Sequence, residues 1–176
     1  RFNSVCFVYR DSLYVFGGTD NSSNMNEIVR YDLSTQNSGE WTTIAKVNEA
    51  NQRGGVAFVV EDKVYAGLGE KSNGIRNGFY VSSDSLTKWE LIPSIPAQLG
   101  VISSGVYDEQ KKSFFMIDND GKIWEYNLTT EQWTSRSLWI RMKNYHMFML
   151  DGSIYILGQD IYQKNKFTVY NPIWDN

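Results

Sequence analysis

Few residues in this chain could carry chemistry, and their types narrow what that chemistry could be. His146 is the only histidine and Cys6 the only cysteine. A single histidine excludes a multi-histidine zinc or copper centre assembled within the chain. A single cysteine excludes an internal disulfide. Cys6 lies in Ser4-Val5-Cys6-Phe7-Val8-Tyr9, where it reads as a small buried hydrophobe. A Cys6–His146 nucleophile is formally available, but nothing in the sequence brings the two together. Carboxylates such as Glu70, Asp84, Asp108, Glu109, Asp118, Asp120, Asp151 and Asp160 are plentiful, and glycoside hydrolysis needs only a pair. Most of them stand at turn positions that favour Asp for backbone reasons. Asp118-Asn119-Asp120-Gly121 lacks the later Glu of a calcium loop and reads as a hairpin turn. Neither a cofactor nor a metal site is expected.

Basic residues recur at one offset. Arg1, Arg53 and Arg141 precede Tyr14, Tyr65 and Tyr155 by 13, 12 and 14 residues, and Lys143 precedes Tyr155 by 12. Gln98 stands near the corresponding place before Phe115. Two readings are open. Each cation ties one repeat to the next, or together they form an anion-binding ring. Overall charge does not demand cationic clustering, since the net charge is −3. The same figure argues against nucleic acid as a partner. No run approaches the roughly 20 apolar residues of a membrane span; stretches such as Val56-Ala57-Phe58-Val59-Val60 have strand length. The chain starts at Arg1 and shows no signal peptide, which suggests a processed protein or an excised domain. The compartment stays open, with an extracytoplasmic one slightly favoured.

The elements that would position these residues repeat four times. An apolar run ends in an aromatic, usually beside glycine; a second aromatic follows and a tryptophan closes the unit. The instances are Tyr14/Gly17-Gly18/Tyr31/Trp41, Tyr65/Gly67-Gly69/Tyr80/Trp89, Phe115/Tyr126/Trp133 and Tyr155/Gly158/Tyr170/Trp174. The closing tryptophans are 48, 44 and 41 residues apart, within the period of propeller blades. Each unit reads as a four-stranded antiparallel meander punctuated by turn residues. No window keeps helical apolar spacing for three turns. The expected fold is an all-β propeller with about four blade units, approximately 1–49, 50–97, 98–141 and 142–176. Trp41, Trp89, Trp133 and Trp174 are expected to fill the wedges between blades, with truncation of Trp41 or Trp89 costing about 3–5 kcal/mol. Rings usually close with four to eight blades. The last unit leaves no room for a full fourth strand, so the chain is expected to be part of a larger ring, with further blades or domains outside it.

These residues resemble the kelch repeat. Leu13-Tyr14-Val15-Phe16-Gly17-Gly18, Tyr31-Asp32-Leu33 and Trp41 match its glycine pair, third-strand tyrosine and fourth-strand tryptophan. Lys63 to Gly69 is a degenerate copy, Ile154 to Gln159 keeps one glycine, and the third unit has Ile117-Asp118 instead. The resemblance implies that the recurrent cations face the mouth of a central channel. The copper radical oxidase of this group needs two histidines and a tyrosine cross-linked to cysteine, which this chain cannot supply. Ser82-Ser83-Asp84-Ser85-Leu86-Thr87-Lys88-Trp89 is similar to the Asp-box turn of sialidase-like propellers, with Leu86 where that pattern has glycine. The functional expectation is a non-catalytic propeller that binds a protein or glycan, anionic if the cations converge. A glycosidase or sugar epimerase on the same scaffold is the alternative.

Overall fold

The structure is a computed structural model that describes residues 1–20, 22–32, 40–83, 85–139, 141–160 and 162–171. It is almost wholly β, in two compact units, Arg1–Pro93 and Ser94–Asn176. In the first unit, β1 (Val5–Tyr9), β2 (Ser12–Phe16), β3 (Glu27–Asp32) and β4 (Trp41–Lys46) form sheet 1. A short 3₁₀ turn at Asn48–Ala50 leads to sheet 2, made of β5 (Val56–Val60), β6 (Lys63–Gly67), β7 (Phe79–Ser82) and β8 (Glu90–Leu91). In the second unit, β9 (Ile102–Asp108), β10 (Ser113–Asp118), β11 (Lys122–Asn127) and β12 (Gln132–Trp139) form sheet 3. Strands β13 (Lys143–Leu150), β14 (Ser153–Gln159) and β15 (Asn165–Tyr170) form sheet 4. Every pairing is antiparallel between chain neighbours, the meander read from the repeats. Each sheet is a propeller blade.

Local chemistry explains the connections. Arg10 and Asp11 both take positive φ, 44° and 57°, and close the β1–β2 hairpin in two residues, the geometry that matches strand twist. Gly17 and Gly18 follow β2 with φ of 63° and 98°. A Cβ on Gly17 would meet the carbonyl oxygens of Ala50 and Gln52, the latter at 2.7 Å. Only glycine fits that approach. The pair is thereby free to tie the sheets together, Gly18 N–H donating to the Gln52 carbonyl at 2.7 Å.

Within each unit, one sheet lays a bulky apolar face on the next. Val5, Phe7, Tyr9, Tyr14, Phe16 and Ile28 of sheet 1 pack against Val64, Ala66, Leu86 and Trp89 of sheet 2. Phe115, Ile117 and Ile123 of sheet 3 pack against Tyr145, Met147, Ile154, Ile156 and Tyr170 of sheet 4. The first strands are neighbours in both cases, β1 with β5 and β9 with β13.

Two expectations fail here for one reason. Cys6 is exposed, not buried. Trp41 is 52% exposed, not core. Strand β1 buries Val5, Phe7 and Tyr9, so alternation puts Cys6 on the opposite face. Register then carries Trp41 to that same face, which is turned away from sheet 2. Trp89 behaves as expected: its ring meets Phe16 edge-on at 5.2 Å and its indole N–H donates to the Leu86 carbonyl at 2.9 Å. Leu86 takes φ of 59° at the place where the Asp-box pattern has glycine. Trp133 is half-buried against Tyr126, ring centroids 4.8 Å apart. Trp174, Asp84 and the turn at 34–39 lie outside the described residues. Among the tryptophans whose burial is described, the most deeply placed is Trp124, which the repeat pattern did not single out. It is buried on β11 and donates to Asp118 at 2.9 Å.

Candidate functional site

The recurrent cations fall at the blade ends that carry the strand 2-to-3 loops and the connections between blades. Arg1 donates from Nη2 to Glu27 at 2.9 Å, and Lys46 approaches the same carboxylate at 3.2 Å. Arg53 pairs with Glu70 at 3.0 Å and bridges it through the backbone in both directions. Each arginine therefore holds a carboxylate of its own sheet. Their offsets from the second-strand aromatic differ by one residue, and the structure shows the consequence. Phe2 pairs with Thr19 as Arg53 pairs with Glu70. Arg53 thus occupies the place of Phe2, and Arg1 occupies that of Gln52. Successive residues of extended chain face opposite ways, so the two guanidinium groups are served by different elements. In the second unit, Lys143 opens β13 opposite Gln159 and is exposed, as is Arg141 two residues earlier.

Sequence reasoning missed Gln52, Arg76 and Asn77, which with Glu70 organise this end of the first unit. Glu70 bridges Arg53 on one side and Arg76 on the other. The half-buried Arg76 guanidinium donates to the Asn77 carbonyl at 3.1 Å, and burial lowers its pKa from the ordinary arginine value. Gln52 and Asn77 are fully buried. Gln52 Oε1 accepts from Gly69 N–H at 3.1 Å and from Asn77 Nδ2 at 3.0 Å, and Gln52 Nε2 donates to the Gly54 carbonyl at 3.0 Å. Asn77 also donates to the Glu49 carbonyl at 2.7 Å and accepts from Gly78 N–H at 2.9 Å. A satisfied buried polar network of this kind fixes loop geometry. Asn24 extends it across the blades by donating to the Glu70 carbonyl at 2.8 Å. No hydrophobic period marks such residues; the one available signal was polar side chains beside Gly54, Gly69 and Gly78. Around this frame, Asn48, Asn51, Lys71, Ser72 and Asn73 line an open cleft of about 330 Å³.

Several carboxylates are held by structural hydrogen bonds or ion pairs. Asp118 is buried and accepts from Asp120 N–H, Lys122 N–H and Trp124 Nε1 at 2.9–3.1 Å. Glu125 is buried against Arg136. Asp20, Asp62 and Asp160 all have pKa values lowered by hydrogen bonds, first from Ser22, Arg10 and Lys164 respectively. That direction is opposite to the raised pKa a general acid needs. Among the described residues, no group of three His, Cys, Asp or Glu is placed to hold a metal.

Asp20 gives a pH-dependent expectation. Its Oδ1 accepts from Ser22 Oγ at 2.7 Å and from the Ser22 and Ser23 amides at 3.1 Å, holding the carboxyl at about 2. A depressed folded pKa contributes order that is present above the unfolded carboxylate value, near ~4, and lost as pH falls through the folded value. NMR titration is therefore expected to place the Asp20 midpoint near the low value, with the loop intact at pH ~3. Ser22→Ala should move the midpoint upward. A midpoint at the ordinary carboxylate value would show that the three bonds do not form in solution.

Comparison with known proteins agrees with the blade reading. Residues 1–48 match the family model described as the kelch motif. No curated protein matches the chain. A solved structure titled "Structure of YjhT" superposes with a TM-score of 0.66 at 10% identity, over 94% of this chain and 64% of that one. At that identity the likeness concerns fold alone, and this chain spans less than two thirds of the length of the structure it matches. The chain is a kelch-like β-propeller.

Proposed function

We propose that this kelch-like propeller is a binding scaffold that recognises a partner protein through the loops at one end of its blades. The observation that carries the reading is the first unit's loop end. There the buried Gln52–Asn77 network stands beside an open cleft lined by Asn48, Asn51, Lys71, Ser72 and Asn73. Rigid elements presenting polar loops are the usual form of a recognition surface.

The ligand's charge is the finer part of the proposal. Arg53 keeps a half-exposed side chain beside Glu70, and Lys71 stands at the cleft. Of the other recurrent cations, Lys143 shares the offset of Arg53, Arg1 and Arg141 lie one and two residues off it, and Arg53 and Lys71 are the pair at this end of the first unit. These favour an anionic peptide over a neutral one. The test is a peptide and glycan array probed with the full chain, followed by titration of the strongest peptide. Acidic peptides are expected to lead. Arg53→Ala should weaken their binding about tenfold, the equivalent of one charged contact, and added salt should weaken it further. Peptide binding that is indifferent to salt, to Arg53→Ala and to Lys71→Ala would remove this site. Leading hits among neutral glycans would remove the anionic reading.

A further inference from the structure

The chain holds two Asn-Gly pairs, Asn73-Gly74 and Asn77-Gly78, both in the β6–β7 loop of the first unit. Such a pair carries a latent reaction. The glycine amide nitrogen can attack the asparagine side-chain carbonyl, because no side chain on the glycine stands in the way. The fold treats the two pairs in opposite ways.

Asn77 is guarded. It is fully buried. Its Nδ2, the group that would leave, donates to the Glu49 carbonyl at 2.7 Å and to Gln52 Oε1 at 3.0 Å. Its Oδ1 accepts from Gly78 N–H at 2.9 Å and from the Tyr80 hydroxyl at 3.3 Å. Gly78 is hemmed in as well: a Cβ there would stand 2.7 Å from the Leu91 and Tyr80 side chains. Leaving group and attacking nitrogen are both held in place.

Asn73 is arranged for the reaction. It stands with Gly74 at the exposed tip of the loop, which Lys71 N–H closes on the Ile75 carbonyl at 2.9 Å. Asn73 Oδ1 accepts from Ile75 N–H at 3.1 Å. That bond polarises Cγ and stabilises the charge an attack would place on the oxygen. Among the described residues Asn73 Nδ2 has no hydrogen-bond partner, so the amine can depart into water. Gly74 takes φ of 76°, and a Cβ built there would have only Glu70 Oε1 near it, at 3.9 Å. Its backbone therefore has room to turn the nitrogen toward Cγ. Gly74 N–H donates to the Lys71 carbonyl at 2.9 Å. That bond must open first, and hydrogen bonds of exposed loops open at the lowest cost.

We propose that Asn73 is a site of self-modification, converted by Gly74 into a carboxylate at the cleft of the loop end. The Gly74 nitrogen bonds to Asn73 Cγ, the Cγ–Nδ2 bond breaks, and ammonia leaves with the former Gly74 amide proton. The cyclic imide then takes up one water. Opening at Cγ gives aspartate. Opening at the backbone carbonyl gives isoaspartate, whose main chain runs through Cβ. Either product carries a negative charge where Asn73 carried none. Asn73 and Lys71 line the same cleft. The new charge opposes an acidic ligand there. On the reading of that cleft as an anionic-peptide site, the modification is a one-way switch that weakens binding as the molecule ages.

Peptide mapping by mass spectrometry, on the full chain held in warm neutral buffer, tests the proposal. Trypsin cuts after Lys71 and Arg76 and so puts the two pairs in separate peptides. The Asn73 peptide is expected to gain the mass of an amide-to-acid change. Asn77 should convert at least about tenfold more slowly, because it waits for unfolding. In urea both should convert alike. Asn73→Gln should abolish the reaction at the tip, since the longer side chain holds its carbonyl one bond too far for that ring. Hexaglutamate should bind about two- to fivefold more weakly to the aged protein and to Asn73→Asp than to fresh protein, the effect of one exposed charge pair. No mass gain at Asn73, or equal rates at Asn73 and Asn77 in the folded chain, overturns the proposal. Conversion that leaves hexaglutamate binding unchanged overturns the switch. Failure of fresh protein to bind hexaglutamate removes the anionic reading of the cleft and the switch with it, while the mass gain still decides the modification.

Discussion

Phe16→Ala is expected to lower stability by about 3–5 kcal/mol, the cost of emptying a fully enclosed aromatic site. Phe16 has no solvent-exposed surface, and it sits at the junction of sheets 1 and 2, edge-on to Trp89. Truncation removes transfer energy and leaves a cavity walled by two sheets, and neither sheet can move inward without breaking its strand ladder. At this chain length the loss should appear as a fall in melting temperature of roughly 10 °C. Trp41→Ala is the contrasting case. In dilute solution it should cost under ~1 kcal/mol, as for other exposed positions, although the repeat pattern places Trp41 with Trp89. Chemical denaturation of both variants decides the matter. Equal losses for the two would mean that Trp41 is covered in solution, and a negligible loss at Phe16 would mean that the sheet 1–sheet 2 junction is misassigned.

The second large effect is expected at Asp118. Its carboxylate accepts two turn amides at one oxygen and the Trp124 indole N–H at the other, with the Gly100 amide at 3.5 Å. Asp118→Ala strands these donors in a buried place, for a loss of about 3–4 kcal/mol. Asp118→Asn keeps the shape but turns a donor toward donors, for about 1–3 kcal/mol. Exchange of the Trp124 indole proton should accelerate in both variants. Asp151→Asn, at an exposed hairpin position with φ of 49°, should stay within about 0.5 kcal/mol of wild type, because Asn tolerates that conformation. If Asp118→Ala melts with wild type, the turn has another source of order.

The strands were legible because turn chemistry punctuates them. Arg10-Asp11, Glu61-Asp62 and Asp151-Gly152 each end an apolar run, and each closes a hairpin. Which face of a strand is covered was not legible. A blade carries apolar residues on both faces, so alternation alone does not separate Cys6 and Trp41 from Phe7 and Trp89. Their burial depends on what stands beyond the sheet. The cations were legible as a recurrence, but an offset counted in residues carries no information about side-chain direction. A slip of one residue gave Arg1 to Glu27 and Arg53 to Glu70. Gln52 and Asn77 were invisible because buried amides are specified by backbone groups brought near by folding.

The pairing of every strand with its chain neighbour has a kinetic consequence. Each ladder closes a loop of only a few residues to a few tens, so the entropic cost of pairing stays low and the contact order within a sheet is small. A sheet can therefore assemble as soon as its own stretch of chain is available, during synthesis, before the next sheet exists to cover it. In that interval its bulky face lies open. The alternation of compact self-pairing with delayed stacking makes the Phe7–Tyr14 and Phe148–Tyr155 ring pairs useful twice over. They hold a lone meander in register while it waits for its neighbour.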